Sequence, residues 1–180
     1  MKRAVASLAG VAALLVVATP LYAQQPHKAA VVVTSPSSVG LLLHASDRVA
    51  LRPEFSFAKT HSETSGLAPT IESDSWQITT AVSALFYVGK GDAFRTYLSP
   101  RFSLAHSDFN STGNNGYTAS GAFGAQYKLG ERFLVFGELG AAYGWQKSTT
   151  TLTTTLATST STAKSTALGS RTTVGIAFYF

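Results

Sequence analysis

The 180-residue sequence predicts an all-β fold, an antiparallel up-and-down transmembrane β-barrel of eight strands behind a cleaved N-terminal signal peptide. Three observations predict this fold. Apolar and polar residues alternate with period two along successive segments. Short polar turns alternate with longer connections, and aromatic residues gather at both ends of the segments. Charged residues make up 13% of the chain, about half of what a soluble globular chain carries.

The first 23 residues have the parts of a secretory signal peptide. A positively charged start is followed by an apolar run over residues 4–18 and then by the helix-breaking Pro20. Because a membrane-spanning helix needs ~20 apolar residues, we favour cleavage after Ala23 over a permanent membrane anchor. The sequence is therefore divided into a signal peptide, residues 1–23, and an outer-membrane β-barrel domain, residues 24–180.

Seven segments of the remaining chain supply the predicted strands. Five of them alternate clearly, and they cover residues 49–57, 76–88, 94–107, 117–129 and 133–146. Successive side chains of a strand point to opposite faces, so each of the five has one apolar and one polar face. Residues 27–44 must contribute two strands and residues 172–180 the last one, which gives eight. Because the large aromatic residues share the apolar face, we expect this face to point outward.

The connections between the segments alternate in length. The short ones are polar and turn-forming, at residues 45–48, 89–93 and 130–132. The long ones cover about 60–75, 110–116 and 148–169. Short turns on one side and long loops on the other are typical of a barrel in an outer membrane.

Aromatic residues are expected to form two interfacial girdles. Those at the long-loop end are Trp76, Tyr117, Tyr143 and Trp145, and those at the short-turn end are Phe86, Phe94, Tyr127, Phe133 and Tyr179. The last strand places four apolar residues on one face, and these are Val174, Ile176, Phe178 and Phe180.

In these features the chain resembles small outer-membrane β-barrels of the OmpA/OmpX-like transmembrane type, the outer membrane protein β-barrel domain family. The resemblance covers most of the chain after the signal peptide. It rests on the last strand with its terminal Phe180, on residues 129–133 (LGERF) leading into residues 135–138 (VFGE), and on residues 47–54 (DRVALRPE). It departs from the family's pattern in residues 27–44, where the apolar runs do not alternate.

The resemblance implies a location and partners. The location is the outer membrane of a Gram-negative bacterium, and the partners are outer-membrane lipids and lipopolysaccharide. The resemblance also implies that the barrel-assembly machinery reads the apolar face of the last strand, Val174, Ile176, Phe178 and Phe180, during insertion. We expect the protein to be a monomer. Because its charges are scattered along the chain, we also expect that it does not bind nucleic acid.

Charged residues on the polar faces are the first candidate site. They are Arg52, Glu54, Arg101, Glu138 and Arg171. We interpret them as an internal ion-pair network, since eight strands enclose a space just wide enough for side chains. The alternative is a polar interior that makes the barrel a narrow, porin-like channel for small solutes. Within the network we expect Arg101 to partner Glu138, because both lie near the middle of their strands.

A structural or surface-interaction role follows, with no catalytic residue, no cofactor and no metal. The alternative is a lipid-modifying enzyme, a lipid A or phospholipid acyl hydrolase or transferase, that uses residues 61–63 (His-Ser-Glu) and 106–108 (His-Ser-Asp). Neighbouring residues of a strand point to opposite faces, so His106 and Ser107 do not pair easily, and pairing across loops is left open. Four histidines without clustered spacing do not predict a metal site.

Residues 148–166 contain ten threonines and four serines. Threonine favours an extended backbone. One interpretation is a glycosylated adhesive surface loop, and the other, which we favour, is a hairpin extension that tolerates sequence change.

Overall fold

A computed structural model describes residues 29–35, 38–64, 71–89, 91, 93–109, 112–153 and 157–180. Its eight strands are antiparallel, and each pairs with the next until β8 pairs with β1 and closes the barrel. The strands are β1 Ala29–Ser35, β2 Ser38–His44, β3 Val49–Thr64, β4 Ile71–Tyr87, β5 Phe94–Phe109, β6 Thr112–Lys128, β7 Phe133–Thr153 and β8 Thr158–Tyr179. The predicted eight-stranded, up-and-down, all-β barrel is confirmed. The predicted signal peptide lies outside the described residues.

Residues 27–44 contribute the two strands that the count of eight required, β1 and β2. The described part of the chain contains no helix long and apolar enough to cross a membrane.

The strands are staggered around the barrel. When the register is followed from Val33 on β1 through every strand in turn, it arrives at Thr166 on β8. Val33 pairs directly with Ile176, which lies ten residues away from Thr166 along β8. A stagger of this size in eight strands corresponds to a tilt of roughly 40° from the barrel axis.

The connections predicted as long loops are mostly strand, so their interpretation as loops was wrong. The hairpin extension that we favoured for residues 148–166 is what the described residues of that stretch form. β3, β4, β6, β7 and β8 all continue far into these connections as hairpin extensions. Both faces of an extension are polar, so no apolar alternation marks it in the sequence. In the threonine-rich extension of β7 and β8, threonines face each other in pairs such as Thr149–Thr162 and Thr151–Thr160, and β-branched cross-strand pairs favour strand structure.

The hairpin of β1 and β2 is much shorter than the others, with seven residues in each strand. β1 pairs with β8 only from Val174 to Tyr179, and β2 pairs with β3 no further than Phe55. Among the described residues, no strand covers the remaining edges of β3, residues 56–64, and of β8, residues 158–173. We call the gap between these two edges, above the β1–β2 hairpin, the notch.

Candidate functional site

The outer surface of the barrel carries a belt of large apolar side chains. Every strand contributes to it, and the exposed fraction is 54% for Phe123 and 67% for Leu139, for example. Contiguous apolar surface on a water-soluble monomer rarely exceeds a few hundred Å². The charged side chains of the barrel wall point inward, together with small ones and with a buried apolar and aromatic cluster. The predicted orientation of the belt is therefore the one that the structure has.

Aromatic side chains border this belt at both ends. The eight on the outward face are Trp76, Tyr117, Tyr143 and Trp145 at one end and Phe86, Phe94, Tyr127 and Phe133 at the other. On β6, ten residues separate Tyr117 from Tyr127. Ten residues of a strand tilted by roughly 40° rise about 25 Å, which is the height of the apolar band of outer-membrane barrels.

Tyr179 does not belong to a girdle, which corrects the sequence prediction. It is 8% exposed and points into the lumen, where its hydroxyl lies 2.9 Å from Nε2 of His44. The reason is the strand's alternation, because Tyr179 lies between Phe178 and Phe180, which both face outward.

The structure brings the five lumen charges together in one chain of ion pairs. Nη1 of Arg101 lies 2.7 Å from Oε2 of Glu54, and Nη2 of Arg52 lies 2.7 Å from Oε1 of Glu138. Nε of Arg52 is 3.5 Å from Oε2 of Glu54 and so links the two pairs. Arg171 donates through Nη2 to Oε2 of Glu138. The order is Arg101–Glu54–Arg52–Glu138–Arg171, with an arginine at each end.

The expected pairing of Arg101 with Glu138 is wrong. Glu138 binds Arg52 and Arg171, whereas Arg101 binds Glu54. Position along a strand did not predict the partner, because the stagger between strands decides which side chains meet across the lumen.

The two carboxylates also accept hydrogen bonds from hydroxyl groups. The hydroxyl of Tyr97 donates to Glu138 at 3.1 Å, and that of Ser38 donates to Glu54 at 3.1 Å. The side chains of both glutamates and of Arg52 are at most 1% exposed. A buried charge is stable only when it is paired and hydrogen-bonded, so this network holds the middle of the barrel together.

Below the ion pairs, an aromatic cluster closes the short-turn end of the lumen. The ring of His44 stacks between those of Tyr87 and Tyr179, with centroid distances of 5.7 and 5.9 Å. Tyr97 packs edge-on against Tyr87 at 5.7 Å. Tyr97 also lies against Gly124, where a Cβ atom would stand 2.4 Å from its ring. The sequence analysis missed this cluster, although Tyr97 alternates in phase with the inward Arg101.

Above the ion pairs the lumen widens into a cavity of about 540 Å³, which we call the vestibule. Its inward-pointing walls carry hydroxyl and amide groups, from Thr34, Ser38, Ser56, Gln77, Thr79, Ser103, Thr118, Ser120 and Thr173. Arg101 and Arg171 also line it. Ser170 and Thr172, on the edge of β8, belong to its lining as well, so the vestibule extends to the notch.

The two histidine clusters lie on the hairpin extensions. Nδ1 of His61 donates to Oδ1 of Asp74 at 2.9 Å, and this hydrogen bond lowers the pKa of the Asp74 carboxyl group. Nδ1 of His106 donates to the Asn115 side chain at 2.9 Å. In the part of the chain that the structure describes, neither histidine is hydrogen-bonded to a serine hydroxyl, which is the contact that a nucleophilic serine needs. The described residues also contain no cluster of His, Asp and Glu suited to a metal ion.

Two lysines form an outward-facing site that the sequence analysis did not consider. Lys147 and Lys164 are directly opposite each other on β7 and β8, two residues beyond the aromatic girdle. With Tyr117 and Trp145 they line a depression of about 310 Å³. Like charges directly opposite each other destabilise a sheet. An anion next to the two ammonium groups would reduce this repulsion.

Two solved structures are similar in fold to this chain. The structure of Acinetobacter baumannii CarO is 13% identical, with a TM-score of 0.41 over 87% of this chain and 98% of that chain. The structure of CarO2 from Acinetobacter baumannii is 12% identical, with a TM-score of 0.42 over 86% of this chain and 98% of that chain. No protein-family model matches the sequence, and no curated protein matches it. The resemblance to OmpA/OmpX-like barrels therefore stays a prediction.

Proposed function

We propose that the chain is an integral outer-membrane β-barrel that does not conduct and that presents its hairpin extensions at the bacterial surface, in a structural or surface-interaction role. The observation that carries this proposal is the inverted distribution of side chains. A belt about 25 Å high faces outward and is apolar, and the charged groups face inward. An apolar belt of this height fits the hydrocarbon layer of a membrane.

The packed lumen supports the absence of conduction. Arg52, Glu54 and Glu138 fill the middle of the barrel, and the aromatic cluster around Tyr97 fills the space below them. An ion crossing the barrel would have to displace both layers.

Planar bilayers test this proposal. We expect the wild-type protein to give no steady single-channel conductance after insertion, because its interior is filled. Insertion must be shown on the same preparation by the heat-modifiable migration of the folded barrel on a gel. Steady channels from folded wild-type protein would contradict the proposal and favour the narrow channel.

The enzymatic alternative is tested on the same folded protein. We expect no release or transfer of acyl chains from lipopolysaccharide or phospholipid, since neither His61 nor His106 is bonded to a serine in the described structure. Acyl release that is lost in His61→Ala or His106→Ala would instead establish a lipid-modifying barrel.

Lipopolysaccharide is the partner that we propose for the lysine pair. Lys147 and Lys164 lie where the phosphate groups of an outer-leaflet lipid would meet the aromatic girdle. We expect the double substitution of Lys147→Gln and Lys164→Gln to reduce the rise in melting temperature that lipopolysaccharide causes. Lys128→Gln, at the short-turn end, is the control and should leave this rise unchanged. If lipopolysaccharide raised the melting temperature of wild type and of the double variant equally, the two lysines would not bind it.

Assembly through the last strand is a further part of the proposal. Val174, Ile176 and Phe178 point outward with exposed fractions of 56, 50 and 39%, and Phe180 is 66% exposed. We expect deletion of Phe180, or Phe180→Asp, to reduce the heat-modifiable form in membranes and to leave protein in the periplasm. Phe109→Asp, which changes an equally aromatic residue on a hairpin extension, controls for the loss of a phenyl ring. Normal insertion after the deletion would contradict the proposed signal.

A further inference from the structure

We propose that the vestibule binds a small oxoanion, such as a phosphate group, against Arg101 and Arg171. The charges of the ion-pair chain do not balance, since three arginines meet two glutamates. The excess positive charge is shared by a network whose two terminal arginines both border the vestibule. An anion placed there would complete the alternation of charges.

Arg171 has a donor to spare. Its Nη2 binds Glu138, but its Nη1 is buried and has no hydrogen-bond partner among the described residues. The side chain as a whole is only 10% exposed. A buried N–H group without an acceptor is costly, and a guanidinium group binds oxoanions through paired hydrogen bonds.

The walls of the vestibule suit the same ligand. Serine and threonine hydroxyls from β3, β4, β5 and β6 surround the arginines and can donate hydrogen bonds. The part of the lining that the structure describes contains no aspartate and no glutamate. A cavity of about 540 Å³ with a few converging polar groups is of the size that small ligands occupy.

An oxoanion can reach this site from two sources. Free phosphate can enter through the loop end of the barrel. The phosphate headgroup of a lipid can enter through the notch, which lies in the upper half of the apolar belt if the chain spans the membrane as proposed above. Open strand edges at membrane depth are tolerated where they line a polar cavity, and the notch is edged by Ser56, Ser170 and Thr172.

Calorimetric titration of the folded full barrel in zwitterionic detergent with inorganic phosphate tests the site. The key variant is Ala142→Glu, which places a carboxylate in the vestibule wall without changing any member of the ion-pair chain. We expect wild type to bind phosphate and the variant to bind at least about ten-fold more weakly. Ser103→Asp, on β5, replaces it if Ala142→Glu does not fold. Thr162→Glu adds the same charge to the exposed hairpin extension and should bind like wild type.

Three results would overturn the site. The first is that folded wild type does not bind phosphate. The second is that both vestibule variants bind phosphate as tightly as wild type. The third is that Thr162→Glu weakens binding as much as they do, which would show a general effect of charge.

Nanodiscs distinguish the two sources of the oxoanion. Displacement of phosphate by phosphatidylglycerol, but not by phosphatidylcholine, would identify a lipid headgroup, and phosphate binding without displacement would identify a free anion. Because the titration is done in detergent, its failure leaves the conductance and insertion results of the proposed function standing.

Discussion

Glu138→Ala is expected to lower the free energy of unfolding of the barrel by about 3–5 kcal/mol. The substitution leaves Arg52 and Arg171 in the lumen without the carboxylate that they share. Arg52 is 1% exposed, so its guanidinium group is shielded from bulk water. The substitution Glu138→Ala also removes the carboxylate that accepts the hydrogen bond of the Tyr97 hydroxyl. Urea unfolding of the folded barrel, followed by tryptophan fluorescence and by the heat-modifiable gel band, measures the loss.

A second substitution identifies the cause of this loss. Adding Arg171→Ala to Glu138→Ala should restore part of the stability, because one uncompensated charge is removed. Adding Arg101→Ala should not, because the carboxylate that Arg101 binds is Glu54. If both double variants regained the same stability, the order of the ion pairs would be contradicted. If Glu138→Ala were as stable as wild type, the ion-pair network would not be what stabilises the middle of the barrel.

Leu139→Arg, at the next position along β7, is expected to cost about 2–4 kcal/mol for a different reason. Leu139 faces outward, is 67% exposed and lies between the two aromatic girdles. In a bilayer its side chain would contact hydrocarbon, where a guanidinium group loses its hydration. Reversible unfolding from lipid vesicles measures the effect, since detergent does not reproduce the depth of a bilayer.

Leu152→Arg is the matched control for this substitution. Leu152 is on the same strand and is 60% exposed, but it belongs to the hairpin extension beyond the girdle. The same change there should alter the unfolding free energy by less than about 0.5 kcal/mol. Similar costs at the two leucines would show that the belt is not buried in lipid.

Most of the barrel could be predicted from alternation alone. In β5, Leu98 and Phe102 occupy even-numbered positions and Arg101 an odd-numbered one. The structure places the two apolar side chains on the outer face and Arg101 in the lumen. The same reasoning brought five charged residues from four strands into one lumen, because every polar face of a closed barrel points to the same axis. It worked where one face was apolar and the other polar.

The remaining features depend on information that alternation does not contain. The partner of Glu138 is decided by the ten-residue stagger, which is the sum of eight separate registers. Tyr179 was expected in a girdle because tyrosine usually lies at membrane interfaces. Its position between the outward Phe178 and Phe180 would have predicted the lumen, where the structure places it. The length of the strands beyond the girdle could not be predicted, because threonine and serine occupy both faces of β7 and β8 there and leave no alternation to follow.

The short β1–β2 hairpin has a kinetic consequence. β7 and β8 share twenty-one register pairs, whereas β1 and β8 share six. Those six join residues near opposite ends of the chain, so their formation carries the largest loop-closure entropy of any strand pair, while every other pair is joined by a local connection. We therefore expect the seven local hairpins to form a sheet before the ring closes. The edges of β1 and β8 therefore stay unpaired until this last step of folding.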